Sequence, residues 1–400
     1  MKPRIQPERI RAYRLWAHHL KECTAGADLQ AIAGACGLQN SPPGAWETAM
    51  FNRLPGCTLQ QLRDALYRHK HLLQAWSYRG APVVFPTRES EVFLSALIGW
   101  PEEQPWIYTR GIALALDAVQ MAFEDLFARV KDAVHYLDQH TVASKEMLDR
   151  VLADIVCQGL PPHKQALWNA PSMYGNPDRQ TVGGAAVSFL LRPCACASLV
   201  VFGERQNNSP TFTSFQRWTG HVPQPYPDAR RELVRRFVHC YGPTSSAALT
   251  RFLGCAPAQA RRLWNAVQPQ LAPVEVGGRI RYMLASDLDV LQRMEDGGQA
   301  LCLLGAHDPY LDVQDRDILL PNTSRHRAVW QTVANPGAIL RGGCIIGTWR
   351  GKTVKEKLAI SMAVWEPLSQ GERQTLIARA QAYADFRQRS LQSCTIEAAQ

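Results

Sequence analysis

Apolar residues in the first third of the chain recur at three- and four-residue spacing, in RIRAYRLWAHHL, DLQAIAGACG and TLQQLRDALYRHKHLLQAW. That period predicts amphipathic helices, the last capped by Thr58. The pattern changes at RGAPVVFPT, where Val83, Val84 and Phe85 between prolines read as a short strand. From residue 112, ALALDAVQMAFEDLFARVKDAVHYL predicts one long helix. SKEMLDRVLADIVCQGL predicts another, capped by Ser144 with Glu146 and Asp149 near its start. PHKQALWN reads as a short helix. VSFLLRPCACASLVVFG and SPTFTSF read as two β-rich runs joined by ERQNN, a hairpin signal.

A similar order recurs more cleanly further on. DARRELVRRFVHCYG is an amphipathic basic helix, TSSAALTRFLG a second that stops at Gly254, and APAQARRLWNAVQPQ a third. VEVGGRIRYML then alternates around a Gly277-Gly278 turn. Three helices and a two-stranded wing make the winged form of the helix-turn-helix. Residues 112–216 are a looser copy and 5–88 a looser one still. The tail adds a hairpin at Gly342-Gly343 and a closing helix, GERQTLIARAQAYADFRQR. The expected fold class is α+β and mostly helical. It comprises three tandem winged-helix modules, at 1–110, 111–225 and 226–292, and a C-terminal β-rich region with a closing helix at 293–400.

Charge sharpens this picture. A net charge of +9 spread over 400 residues suits a polyanionic partner. No apolar run reaches the ~18 residues of a membrane span, and MKPRIQPERIRAYR has no hydrophobic region after its basic residues. A cytoplasmic monomer with no membrane contact is therefore expected. The eleven cysteines are scattered singly apart from Cys194 and Cys196, whereas structural zinc sites usually take two pairs. Buried free thiols, with no metal and no cofactor, are the expectation.

Several chemistries are absent from the sequence. No G-x-x-x-x-G-K-[ST] offers a phosphate cradle, no G-x-G-x-x-G follows a strand, and no H-E-x-x-H occurs. Pro193-Cys194-Ala195-Cys196 has the wrong spacing for a zinc deaminase. Arg261 and Arg262 fall on the third helix of the clearest winged block, and Arg279 and Arg281 on its wing, where they can neutralise phosphates. A solvated helix face is the alternative. Wing tips near Asn207, Gly277 and residue 342 can enter a groove.

Several ordered blocks resemble the winged-helix DNA glycosylases of the AlkZ/YcaQ type, closer to the AlkZ side. They are GLQNSPPGAWETAMFNRLPG, LLQAWSYRGAPVVF, SFLLRPCACASLVVFGERQNNSPTFTSFQRW, RRFVHCYGPTSSAALTRFLG, LLGAHDPYLDVQDR and GCIIGTWR. The resemblance implies a monofunctional glycosylase that excises alkylated purines from double-stranded DNA, those in interstrand crosslinks included. Its Gln-φ-Gln motif falls on Gln39, Asn40 and Ser41, so serine stands where the second glutamine is expected. Taken by themselves, residues 39–43 also read as a polar helix end stopped by Pro42-Pro43. Glu47 is expected one turn into a helix.

Trp76 and Arg79 are expected to line the cavity, with a core tryptophan and a surface arginine as the equal alternative. Asp308, Tyr310, Asp315 and Arg316 are expected to brace the site through a buried polar network, with an Asp-Pro turn and an ordinary Asp-Arg pair as the bland reading. A DNA-binding protein without catalysis, sensing damage or regulating transcription, is the second functional reading. A protein-docking module is the third.

Overall fold

Alternating Leu358, Ile360, Met362 and Val364 bury one face of the strand Lys357–Val364. This strand sits inside a five-stranded sheet, in the order Ser390–Ala398, Lys357–Val364, Cys344–Val354, Gly337–Arg341, Leu301–Leu304. The first pair is parallel and the other three are antiparallel. The parallel strand is reached through the helix Gln370–Phe386, opened by a Ser369–Glu372 capping box. Leu376, Ala380 and Ala384, four residues apart, face the sheet core. The expected hairpin turns at Gly342-Gly343. At Gly343, with φ +83°, a Cβ would stand 2.7 Å from the Tyr310 hydroxyl, so only glycine fits.

The computed structural model describes residues 2–21, 28–104, 106, 109–174, 178–207, 209–295 and 298–399. They pack as two units: Met1–Ala65, Val234–Ala248 and Ala266–Gln400 in the first, Leu66–Leu233 and Leu249–Asn265 in the second. The architecture is mixed α/β, with helices prevailing over strands. No helix among the described residues is long and apolar enough to cross a membrane.

Besides the sheet, the first unit holds the helices Pro7–Ala17, Leu29–Cys36 and Ala45–Phe51. It also holds the hairpin Leu271–Val276/Arg279–Leu284, which turns at Gly277 and Gly278 as expected. In the second unit, Phe123–Val134, Lys145–Gln158 and Val182–Cys196 pack around one apolar core with Leu126, Leu148, Leu152 and Leu190. The Ser144 side chain caps the Lys145–Gln158 helix, as the sequence suggests. Segment 229–284 has the expected order of helices, Ala229–Tyr241, Ser246–Leu253 and Pro257–Asn265, before its hairpin. Pro257–Asn265 packs with the second unit and the hairpin with the first.

Three segments differ from their patterns. The first of the two β-rich runs at 187–203 is mostly the helix Val182–Cys196, capped by Thr181 and buried around most of its circumference. A continuous apolar run has no period that separates buried helix from buried strand. The hairpin itself is Val201–Gln206 with Ser209–Thr213; Asn207 is at its tip, and Asn208 lies outside the described residues. Next, the helix expected to run to Trp76 ends by Arg68. Leu72–Trp76, buried at every position, pairs instead with Pro82–Pro86. Finally, the long helix from 112 breaks at Gln120, whose φ of +53° is left-handed, into Ala113–Val119 and Phe123–Val134.

Candidate active site

Gln39 closes the two-residue strand Leu38–Gln39, immediately after the helix Leu29–Cys36 and its left-handed cap Gly37. Its side chain is half-buried, and among the described residues Nε2 donates one long bond, 3.4 Å, to the Ser41 carbonyl. Asn40 is 7% exposed, and its Oδ1 accepts the Gly44 N–H at 2.7 Å. The middle amide therefore serves the loop and the start of the helix Ala45–Phe51. Ser41 is exposed.

Glu47 takes its expected place in the first turn of that helix, where carboxylates complement the unpaired N–H groups. It is buried, and Arg387 Nη1 donates to its Oε2 at 2.6 Å, with Arg63 3.5 Å away. Thr48, one position on, exchanges a hydrogen bond with the Tyr383 hydroxyl at 3.2 Å. Thr48, Tyr383 and Arg387 border a cleft of about 340 Å³ that Pro42, Pro43 and Gly44 also line. Across it stands Asn335, whose Oδ1 is buried without a hydrogen-bond partner among the described residues. Gln39 and Ser41 do not line this cleft. Sequence reading missed Arg387, Tyr383 and Asn335, because no local spacing links them to residues 39–48.

The first unit also holds two internal ion pairs. Arg53 meets Asp308 through both nitrogens, at 2.8 and 2.7 Å, with both side chains excluded from solvent. Burial disfavours the guanidinium charge, but Asp308 raises its pKa above the ordinary arginine value. Asp308 also accepts the Tyr310 N–H, and the Tyr310 hydroxyl donates to the Gly343 carbonyl at 2.9 Å. Asp315 pairs with Arg14, at 3.0 and 2.8 Å, and Arg14 also donates to the carbonyls of Tyr241 and Gly242. Asp308, Tyr310 and Asp315 thus share one polar framework in the first unit. Arg316 sits apart from it, over the Trp330 ring at 4.8 Å.

Three expected DNA-contact residues, Trp76, Arg262 and Arg79, are engaged within the second unit. Trp76 is 5% exposed and packed against Phe202 and Phe212, with Arg192 over its ring, which leaves no face for a base. Arg262 makes a paired bridge to Glu103, at 2.6 and 2.8 Å, and lies on the Trp100 ring. Arg79 donates to the Phe252 carbonyl at 2.7 Å and lies over Tyr78 and Phe252, so it is spent within the second unit. Arg261 and Arg279 are exposed and Arg281 is half-buried.

No curated protein sequence matches the chain. The structure is similar to that of the Streptomyces sahachiroi DNA glycosylase AlkZ, with a TM-score of 0.75 over 98% of this chain and 100% of that one, at 16% identity. The DNA glycosylase AlkZ-like family profile matches residues 32–386. That match covers most of the 400 residues, and the chain belongs to the AlkZ-like DNA glycosylase family.

Proposed function

We propose that the chain hydrolyses the N-glycosidic bond of alkylated, cationic purines in double-stranded DNA, those tethering two strands included. It acts as a monofunctional enzyme, a cytoplasmic monomer, with no cofactor in the reaction. The observation that carries this reading is the state of the 39–41 loop. Asn40 is occupied by the Gly44 N–H, while Gln39 holds one long bond and Ser41 faces solvent.

An N7-alkylated purine already carries positive charge, so its bond to C1′ breaks readily and the base departs with the bonding pair. Water supplies the new C1′–O bond and its proton goes to solvent, leaving an abasic site. The protein's share is to position that water and to turn dipoles towards the positive charge developing at C1′. The Gln39 carboxamide oxygen and the Ser41 hydroxyl are suited to both tasks. Glu47 is already neutralised by Arg387, and it serves as a support for the loop. Asp308, Tyr310 and Asp315 support the same loop from behind. Of three winged-helix modules, the one at 226–292 presents Arg261, Arg279 and Arg281 to phosphates.

The test is incubation with DNA containing N7-methylguanine, followed by alkali to cut at abasic sites. Excision that disappears in Gln39→Ala supports the reading. Binding without excision at excess enzyme rejects it. That outcome would favour a non-catalytic DNA-binding protein, a reading that draws on the serine at position 41 in place of the motif's glutamine.

A further inference from the structure

Three helices end at one buried point in the first unit. His18 caps the C-terminus of Pro7–Ala17, Cys36 is the last residue of Leu29–Cys36, and Cys240 is next to last in Ala229–Tyr241. All three side chains are buried, and their donor atoms lie within 4.8 Å of one another. His18 Nδ1 is 3.8 Å from Cys36 Sγ. Donors held 2.0–2.3 Å from a tetrahedral or trigonal zinc ion lie about 3.5–3.8 Å apart, so this edge already has the span of a coordinated pair.

One further observation points to a cation. The Cys240 thiol donates to the carbonyls of Ala17 and Ala35, at 3.8 and 3.5 Å, so the site lies where two helix ends converge. Helix C-termini carry partial negative charge, so their convergence favours a positive ion. The two guanidinium groups closest to His18, those of Arg53 and Arg14, are themselves paired, to Asp308 and Asp315.

We propose that His18, Cys36 and Cys240 bind one borderline or soft d10 cation, of which Zn²⁺ is the representative. Two sulfurs and one imidazole, with no carboxylate, select that class. Binding forms two metal–sulfur bonds and one metal–nitrogen bond, and both thiol protons pass to solvent. Two thiolates then balance a divalent ion. A fourth position remains, bordered by the two helix-end carbonyls. The site joins helix ends far apart in sequence, and Cys36 lies three residues before Gln39, so an ion would clamp the start of that loop. The proposal stands whether or not the chain excises bases.

The test uses the full chain, reduced and freed of metal with a chelator, then titrated with Zn²⁺ against a chromogenic chelator. The expected result is one equivalent per chain, lost in the double variant C36S/C240S and kept in the control Cys394→Ser. Co²⁺ added to the wild-type chain should give the thiolate-to-cobalt charge-transfer band. This second readout does not depend on whether the double variant folds. Zinc retention no greater than that of a folded C36S/C240S, or a folded wild type without the cobalt band, would overturn the proposal. So would a Cys36–Cys240 disulfide that persists through reduction and excludes zinc.

Discussion

Asn40 gives its oxygen to the Gly44 N–H, which divides the labour among three adjacent polar residues. Loop architecture falls to Asn40, and on the proposed reading contact with a reacting sugar falls to Gln39 and Ser41. On this division, Gln39→Ala should reduce excision of N7-methylguanine about 10²-fold, the usual cost of removing one preorganised dipole, with little change in thermal stability. Ser41→Gln should raise it, because a carboxamide reaches further than a hydroxyl. Equal rates in wild type and Gln39→Ala, in single-turnover assays, would remove Gln39 from the chemistry. Asp308 belongs to a different class. Its truncation to alanine would leave the Arg53 charge buried and unpaired, and urea titration should show a loss of about 3–5 kcal/mol. This site was partly legible in the sequence because the 39–41 loop and the 308–316 segment are short, ordered strings. The Glu47–Arg387 contact was not, since its partners are 340 positions apart and only the closing helix brings them together.

Several elements with a strong period formed as read, although the periodic stretches from 58 and from 112 broke at Arg68 and Gln120. Gln370–Phe386 shows its buried face at every fourth residue, and the Gly277-Gly278 and Gly342-Gly343 turns carry their geometry in their residue type. Val182–Cys196 offered only continuous apolarity, and tertiary burial made it a helix. Its close packing is testable: a Cβ on Gly183 would stand 2.1 Å from the buried Trp168 ring, so Gly183→Ala should cost about 1–3 kcal/mol in urea unfolding. The helix Pro257–Asn265 is anchored differently, through Arg262 to Glu103. Burial raises the Glu103 pKa, but the paired bonds from Arg262 and the Trp100 N–H more than offset this and hold it below its ordinary 4.5. A carboxylate depressed on folding contributes stability above its unfolded value, and that contribution is lost as pH falls through the folded one. Thermal midpoints measured downward from pH 5 should therefore fall more steeply in wild type than in Glu103→Gln. Parallel curves would show that the bridge contributes nothing.

At the scale of the whole chain, a net charge of +9 makes phosphate contact the natural source of affinity, and the exposed arginines decide where it is made. Arg262 and Arg79 look like DNA ligands in the sequence, yet their guanidinium groups are engaged within the second unit. Arg261 and Arg279 remain exposed to meet a polyanion. Each phosphate neutralised releases counterions, so the logarithm of affinity should fall linearly with the logarithm of salt, with a slope of about −0.9 per contact. Arg261→Ala and Arg279→Ala should each make that slope shallower by about 1, equally on random and damaged duplexes. Gln39→Ala should leave the slope unchanged while reducing excision about 10²-fold, because its contribution belongs to the reaction and not to the backbone. Fluorescence anisotropy across a salt series separates these outcomes. Binding that ignores salt would mean that the basic surface serves a protein partner, and the charge excess would then say nothing about DNA.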